Sequence, residues 1–405
     1  MHHNLLLNKL PILDATQTLF AYQLSVTPVQ GAKLTLQDWH DEAKSLWQGV
    51  TENIGFDKLT SNKPVFYQAP LEMLKLDLLP NIEPISNLYV EVNVDLLAHK
   101  EALESIKEMM QAGVKIAMQN YEQTEAHDKL LSIAKLVKIN QKTASSDVFN
   151  AILTKLHDKS LEVVVTEVDS EGLFQTLRDK GAKLFQGYFF TNPVVSTKKE
   201  ISSNKLAMLK LLAEVNNPDV EFNALAETIG ADVGLTHKLL SAINHPQNEL
   251  PYVVESLKDA VNFMGLKRLK FWVNMLMMSE VDDVPEELLM TALVRAKFLE
   301  MVAEAINQKD QAERYFMVGL FSTLNAFLKE PMVDIVDELP LSDEVKVALT
   351  DQKGSMGKGL FIARSMEQGN TQVLMAGFES MDIMAISNSY MSANGWASQT
   401  LSSLN

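Results

Sequence analysis

Polar side chains stand where several branched and apolar runs stop. Asn93 follows "LYVEV", Gln119 and Asn120 follow "VKIAM", Asn140 closes "LVKIN", Thr166 and Glu167 close "LEVVVTE", and Gln186 lies within "KLFQGYFF". In a parallel barrel, chemistry gathers at the C-terminal ends of the strands, so these side chains would share one polar pit. A pit that holds Mg²⁺, Mn²⁺ or Ca²⁺ needs several carboxylates, because hard cations are held mainly by charged oxygen. The central strand ends offer amides and a hydroxyl instead, with Lys138 one turn of the pleat below Asn140. The bland alternative is that they are polar caps where strands meet water.

The elements that must position these residues read differently in the two halves. The segments 88–97, 114–120, 136–140, 161–168 and 183–190 are rich in Val, Ile and Leu, and helical spacing follows each of the first four. That alternation predicts βα units and a parallel sheet covered by helices, regular enough for a (β/α) barrel. The opening "LLLNKLPILDATQTLFAYQLSV" reads instead as two strands joined by a turn around Asp14–Gln17. The second half places apolar residues three and four apart throughout, with Gly230 and Gly265 as helix stops, Ser342 as a helix N-cap and "GSMGKGL" (354–360) as a turn between helices. It predicts an all-α region ending in a polar tail after Trp396. The polar, Pro-containing "TNPVVSTKKEISS" (191–203) is the expected linker.

The chain has 405 residues and no cysteine, which removes disulfides, thiolate metal sites and thiol nucleophiles together. No signal peptide is read at the N-terminus and no apolar run is long enough to span a bilayer, so a cytoplasmic protein with no membrane partner is expected. Residues 1–200 carry 20 basic and 25 acidic side chains and the remainder 16 and 27, so direct nucleic-acid binding is disfavoured. The one basic cluster, Lys267, Arg268 and Lys270, reads as a solvated helix face. Phosphate-loop, nucleophile-elbow and His-Glu-x-x-His motifs are all missing.

The motifs quoted so far resemble those of the bacterial EAL–HDOD tandem signalling proteins, across roughly residues 5 to 380. EAL domains are barrels that hydrolyse cyclic di-GMP with two metal ions. "PILDATQTLFAYQLSV" is similar to the family's opening, "YVEVNV" to the strand with a metal-binding Asn, and "KIAMQNYEQ" to the strand ending in Asp-Asp-Phe-Gly. "VKIN" resembles Lys-Ile-Asp, "VVTEVD" the Ala-Glu-x-Val-Glu segment, and "FQGYFFTNP" the closing motif. The resemblance implies an N-terminal EAL-type TIM-like barrel over 1–196 and an all-helical HDOD domain over 203–405.

The departures fall on the chemistry. Gln23 stands for the signature Glu, Gln119 and Asn120 for the paired Asp residues, Asn140 for the Asp of Lys-Ile-Asp, Thr166 for one later acid and the shorter Asp169 for the other. Asn93 and Lys138 remain. Loss of one well-placed ligand already costs tens of fold in metal affinity. The expectation is therefore a degenerate site with no metal, no cofactor and no phosphodiesterase activity. Its remains are Gln23, Asn93, Gln119, Asn120, Lys138, Asn140, Thr166, Asp169 and Gln186. Retained cyclic-di-GMP binding is disfavoured, since neutral hydrogen bonds contribute only about 1 kcal/mol each.

"LAETIGADVGLTHKLLSAINHPQNELPYVVESLKDAVNFMGLKRLKFWV" resembles an HDOD domain, and "VGLFSTLNAFL" puts Ser322 and Thr323 where related metal-dependent hydrolases carry His-Asp. His237 and His245 read as structural or solvent-facing, and His2 and His3 as a frayed terminus. The Met275, Met277 and Met278 cluster reads as core, although flexible thioethers beside Phe271 and Trp272 would also suit an adaptable binding surface. The expected function is a non-catalytic signalling scaffold that recruits or regulates unidentified signalling proteins, with homodimer formation allowed by the family. Two alternatives stand beside it: a metal-independent cyclic-di-GMP or nucleotide sensor, and a residual phosphodiesterase.

Overall fold

The computed structural model describes residues 5–29, 34–145, 147–194, 203–217, 220–230, 233–246, 250, 252–279, 281, 284–374 and 377–403. Most of the expected linker, and His2 and His3, lie outside them. Eight strands close into a barrel: β1 (Leu5–Asp14), β2 (Leu19–Pro28), β3 (Val65–Gln68), β4 (Leu88–Val92), β5 (Lys115–Met118), β6 (Leu136–Asn140), β7 (Glu162–Thr166) and β8 (Leu184–Gln186), each paired with the next and β8 with β1. β1 runs antiparallel to both of its neighbours, and all other pairs are parallel. The expected turn joins β1 to β2. Asp14 Oδ1 accepts from the backbone N–H of Thr16 at 2.8 Å and of Thr18 at 2.9 Å, a short-range cage that an Asp side chain forms readily.

The barrel floor is apolar. Ile12, Ala21, Phe66, Ala117, Leu136, Val164 and Leu184 form one buried cluster, with Phe20 and Tyr89 packed against it. Phe66 and Tyr89 stack with ring centroids 4.5 Å apart. Small side chains from β2 and β5 alternate with large ones from β3, β4 and β6, which is how a narrow barrel fills its interior.

The chain divides into two units, Met1–Asn192 with Arg364–Gly395, and Pro193–Ala363 with Trp396–Asn405. The expected single cut near residues 196–203 is thus only the first of several crossings, because Arg364–Gly395 groups with the barrel. The second unit is helical. It contains the helices Ser203–Val215, Phe222–Gly230, Val233–Ile243, Leu257–Ser279, Glu286–Ala305 and Ala312–Phe321, followed by shorter ones to Asp351. Gly265 has φ 81° and ψ 161° and breaks Leu257–Ser279 into two helical pieces, as the expected stop implies. Gly319 lets two helices touch, since a Cβ there would lie 2.4 Å from the backbone of Ala296.

Two local readings are corrected. "GSMGKGL" opens the helix Gly354–Glu367 instead of joining two helices. The segment after Trp396 is no tail but the end of the helix Ile383–Ser402. Its Ser, Asn, Gly and Ala side chains mask the apolar stripe that normally betrays a helix. Ser342 does stand at the N-cap of Asp343–Asp351, without a side-chain cap bond.

Candidate functional site

Strand geometry puts the next interior position two residues beyond the floor. From Ala21, Phe66, Tyr89, Ala117, Leu136, Val164 and Leu184 this step reaches Gln23, Gln68, Glu91, Gln119, Lys138, Thr166 and Gln186. The barrel therefore changes from hydrocarbon to polar within one layer.

Lys138 is the centre of that layer. Its ammonium donates to the side-chain oxygens of Gln23 and Glu91, and to Gln186 Oε1 at 3.0 Å, which uses all three of its protons. Gln186 Nε2 donates to Gln23 Oε1 at 2.7 Å, and Gln23 Nε2 to Gln68 Oε1 at 2.8 Å. Gln119 Nε2 donates to the second oxygen of Glu91 at 2.6 Å. Burial pushes the Lys138 ammonium below the usual lysine range, and the charge and hydrogen bond of Glu91 push the other way. Gly187, at φ 143°, turns the chain directly after Gln186. A Cβ there would lie 2.1 Å from the carbonyl oxygen of Val168, so the close approach requires glycine.

Of the nine expected barrel residues, four are brought together: Gln23, Gln119, Lys138 and Gln186. The others stand apart from the network among the described residues. Asn93 is exposed, and its Oδ1 accepts from the backbone N–H of Asp95 at 3.0 Å. Asn140 Oδ1 likewise accepts from the backbone N–H of Lys142 at 2.9 Å. Asn120 is exposed with φ 49°, a left-handed conformation that Asn tolerates. Thr166 pairs with Asn140 in the β6–β7 register. Asp169 is exposed beyond the end of β7, its carboxyl raised by desolvation and then by Glu167.

Glu91 and Gln68 belong to the network and were not singled out from the sequence. Glu91 was legible in principle, because it shares the strand period of Tyr89 and Asn93 and so faces the same interior. In the helical unit, Ser322 and Thr323 are buried and turned to structural bonds. Ser322 Oγ accepts from the buried Arg295 guanidinium at 3.1 Å and donates to the Gly319 carbonyl at 2.7 Å, while Thr323 Oγ1 donates to the Leu320 carbonyl at 3.2 Å. Met275, Met277 and Met278 are buried, as the core reading expects. His237 is exposed and His245 half-buried.

The EAL resemblance implies two divalent cations, and the residues present do not fit them. The interior layer holds one carboxylate, Glu91, already engaged by Lys138 and Gln119. Among the described residues no three His, Cys, Asp or Glu side chains are grouped so as to hold a metal ion.

The closed barrel is followed by an all-α region, and residues 203–330 within that region match the HDOD domain. The chain is 26% identical to the cyclic di-GMP phosphodiesterase CdgJ of Vibrio cholerae over 384 residues, 92% of this chain and 88% of the relative. It is 24% identical to the uncharacterized protein YuxH of Bacillus subtilis over 369 residues, covering 89% and 90% of the two chains. An EAL domain protein from Listeria monocytogenes has 20% identity and a TM-score of 0.35, over 46% of this chain and 87% of that one. The Vibrio relative corrects the expectation that the chain is not an enzyme, because that relative is named for phosphodiesterase chemistry. The expectation rested on the acids missing from the strand ends, and that count leaves out Glu91 inside the barrel. No helix among the described residues is long and apolar enough to cross a membrane.

Proposed function

We propose that the chain is a cytoplasmic signal-transduction protein of a cyclic-di-GMP-linked pathway that acts through contacts with other signalling proteins. Similarity over nine-tenths of the chain to a relative named for cyclic di-GMP supports the pathway. The observation that carries the mode of action is the closed state of the Lys138 layer. Every ammonium proton and both Glu91 oxygens are taken by neighbouring side chains, so this layer offers them to no protein partner and such contacts fall to outer surfaces. The test is capture of the full-length chain, cross-linked in its native cells at low and at high cyclic di-GMP, followed by reconstitution from purified components. A complex that reassembles, and whose recovery follows the nucleotide level, is the expected result. Failure of every captured protein to rebind the purified chain overturns the reading.

The second reading is hydrolysis of cyclic di-GMP, favoured by the name of the Vibrio relative and by Lys138, which remains from the EAL pattern and is paired here with Glu91. Multiple turnovers to the linear dinucleotide by the purified chain in Mn²⁺ or Mg²⁺ support it. Substrate that stays intact under the same conditions removes it.

A further inference from the structure

The helical unit contains a cavity of about 650 Å³, within the ~300–1,000 Å³ range of small-ligand pockets. Phe271, Phe316 and Trp396 form one wall. Their ring centroids lie 5.5, 5.8 and 6.1 Å apart, and all three rings are only half-buried. Aromatic surface of this size is ordinarily covered, and here it faces a cavity.

The charge around that wall is the second observation. Lys267, Arg268, Lys270 and Lys297 line the cavity, against the carboxylates of Glu300 and Glu313. Four cations thus gather in a half-chain that holds 16 basic and 27 acidic residues, so the excess of positive charge is local and runs against the composition. The acids do not cancel it. Lys297 pairs with Glu300 at 2.7 Å, while Lys267 reaches Glu313 only at 3.5 Å across an exposed gap. Lys270 donates to the Asn217 carbonyl at 3.1 Å. Arg268 has no hydrogen-bond or ion-pair partner among the described residues, which leaves its planar fork free for a bidentate oxyanion.

The third observation is a pair of amides lining the same cavity. Asn216 Nδ2 donates to Asn274 Oδ1 at 2.9 Å, and Asn274 Nδ2 to Asn216 Oδ1 at 3.0 Å. Asn216 Nδ2 also donates to the Leu212 carbonyl at 2.8 Å, which uses its second proton. One N–H of Asn274, whose side chain is 1% exposed, and one lone pair on Asn216 Oδ1 are left, a donor and an acceptor side by side. A stacking wall, a fork for an oxyanion and a donor–acceptor edge in one cavity are the three things that a base carrying a phosphate requires.

We propose that this cavity is a nucleotide site, taking a purine base against Phe271, Phe316 and Trp396 with its phosphate on Arg268 and Lys270. It is separate from the barrel interior and independent of whether the barrel hydrolyses anything. The test is titration of the full-length chain with GMP, AMP, cyclic di-GMP and inorganic phosphate, followed by tryptophan fluorescence and calorimetry, since Trp396 lies in the wall. At least one nucleotide is expected to quench the fluorescence and bind at least about tenfold more tightly than phosphate alone. Arg268→Ser with Lys270→Ser should weaken it by about tenfold or more, and Phe316→Leu should weaken the nucleotides while leaving phosphate unchanged. Lys353→Ser, which removes an exposed cation outside the lining, should leave binding intact, and circular dichroism checks that each variant is folded. Absence of binding by all three nucleotides at millimolar concentration overturns the proposal. So does binding that survives the double Arg268/Lys270 change in a folded chain.

Discussion

Lys138 on β6 and Glu91 on β4 form an ion pair across the intervening β5, with side chains only 3% and 0% exposed. Neither charge has water to fall back on, and this sets the first expectation. Lys138→Met or Glu91→Leu alone leaves an uncompensated buried charge and should cost about 3–5 kcal/mol. The double change should cost much less than the sum, because both desolvation penalties leave with the pair. Urea unfolding of the four members of the cycle measures the coupling. Additive losses would mean that the two groups do not depend on each other.

Asp169 makes stability depend on pH. Asp169 has a raised carboxyl pKa, first through desolvation and then through Glu167, so in the window above the ordinary Asp value the folded state binds more protons than the unfolded one. Stability contributed by this group therefore falls as pH rises through that window. Asp169→Asn should raise the melting temperature at neutral pH and change nothing below the carboxylate range. Melting curves of both proteins across pH check it, and equal curves at neutral pH contradict it.

How much of this was readable before the fold was known differs residue by residue. β6 stands at the bounds read for it because its run of branched residues ends cleanly at Asn140. β3 was not read: four residues behind Pro64 give too little alternation for a period to show. Within the site, Gln23 and Gln119 stand where a related motif has acids, whereas Glu91 lies inside its strand, matches no motif residue, and is marked only by sharing the period of Tyr89. Asn93 and Asn140 were placed in the pit by position in the strand, yet each turns to a backbone N–H two residues on. Asn makes that local bond readily, and strand periodicity carries no information about it. The return of Arg364–Gly395 to the barrel unit is a property of tertiary packing that local patterning does not encode.

Two helical glycines should respond in opposite directions to the same methyl group. Gly319→Ala drives a Cβ to 2.4 Å from the Ala296 backbone, and should destabilise by about 2 kcal/mol or more, since backbone cannot step aside as a side chain can. Gly49→Ala, inside the helix Leu36–Asn53, meets only Asn53 Nδ2 at 3.9 Å and should stabilise by about 0.8 kcal/mol through helix propensity. Thermal and urea unfolding read both, and a neutral Gly319→Ala would show that the two helices separate easily.

Metal dependence follows from the donor set of the interior layer. With Glu91 as its one carboxylate, the native layer lacks the charge to hold a divalent cation, so Mn²⁺ and Mg²⁺ should leave the melting temperature of the native chain unchanged. Gln23→Glu combined with Gln119→Asp brings two more carboxylates beside Glu91. Without metal this should destabilise the barrel, because three like charges would share one Lys138 ammonium and the Gln23–Gln68 and Gln119–Glu91 bonds would lose their donors. With Mn²⁺ the same variant should recover, by about 2.7 kcal/mol at a hundred times its dissociation constant. The comparison separates two explanations that a single melting curve confuses. A variant that is destabilised and does not recover shows that charge was added without assembling a ligand set. A native chain that gains as much from Mn²⁺ as the variant does shows that its amides and Glu91 already suffice, and the donor argument then fails at its root.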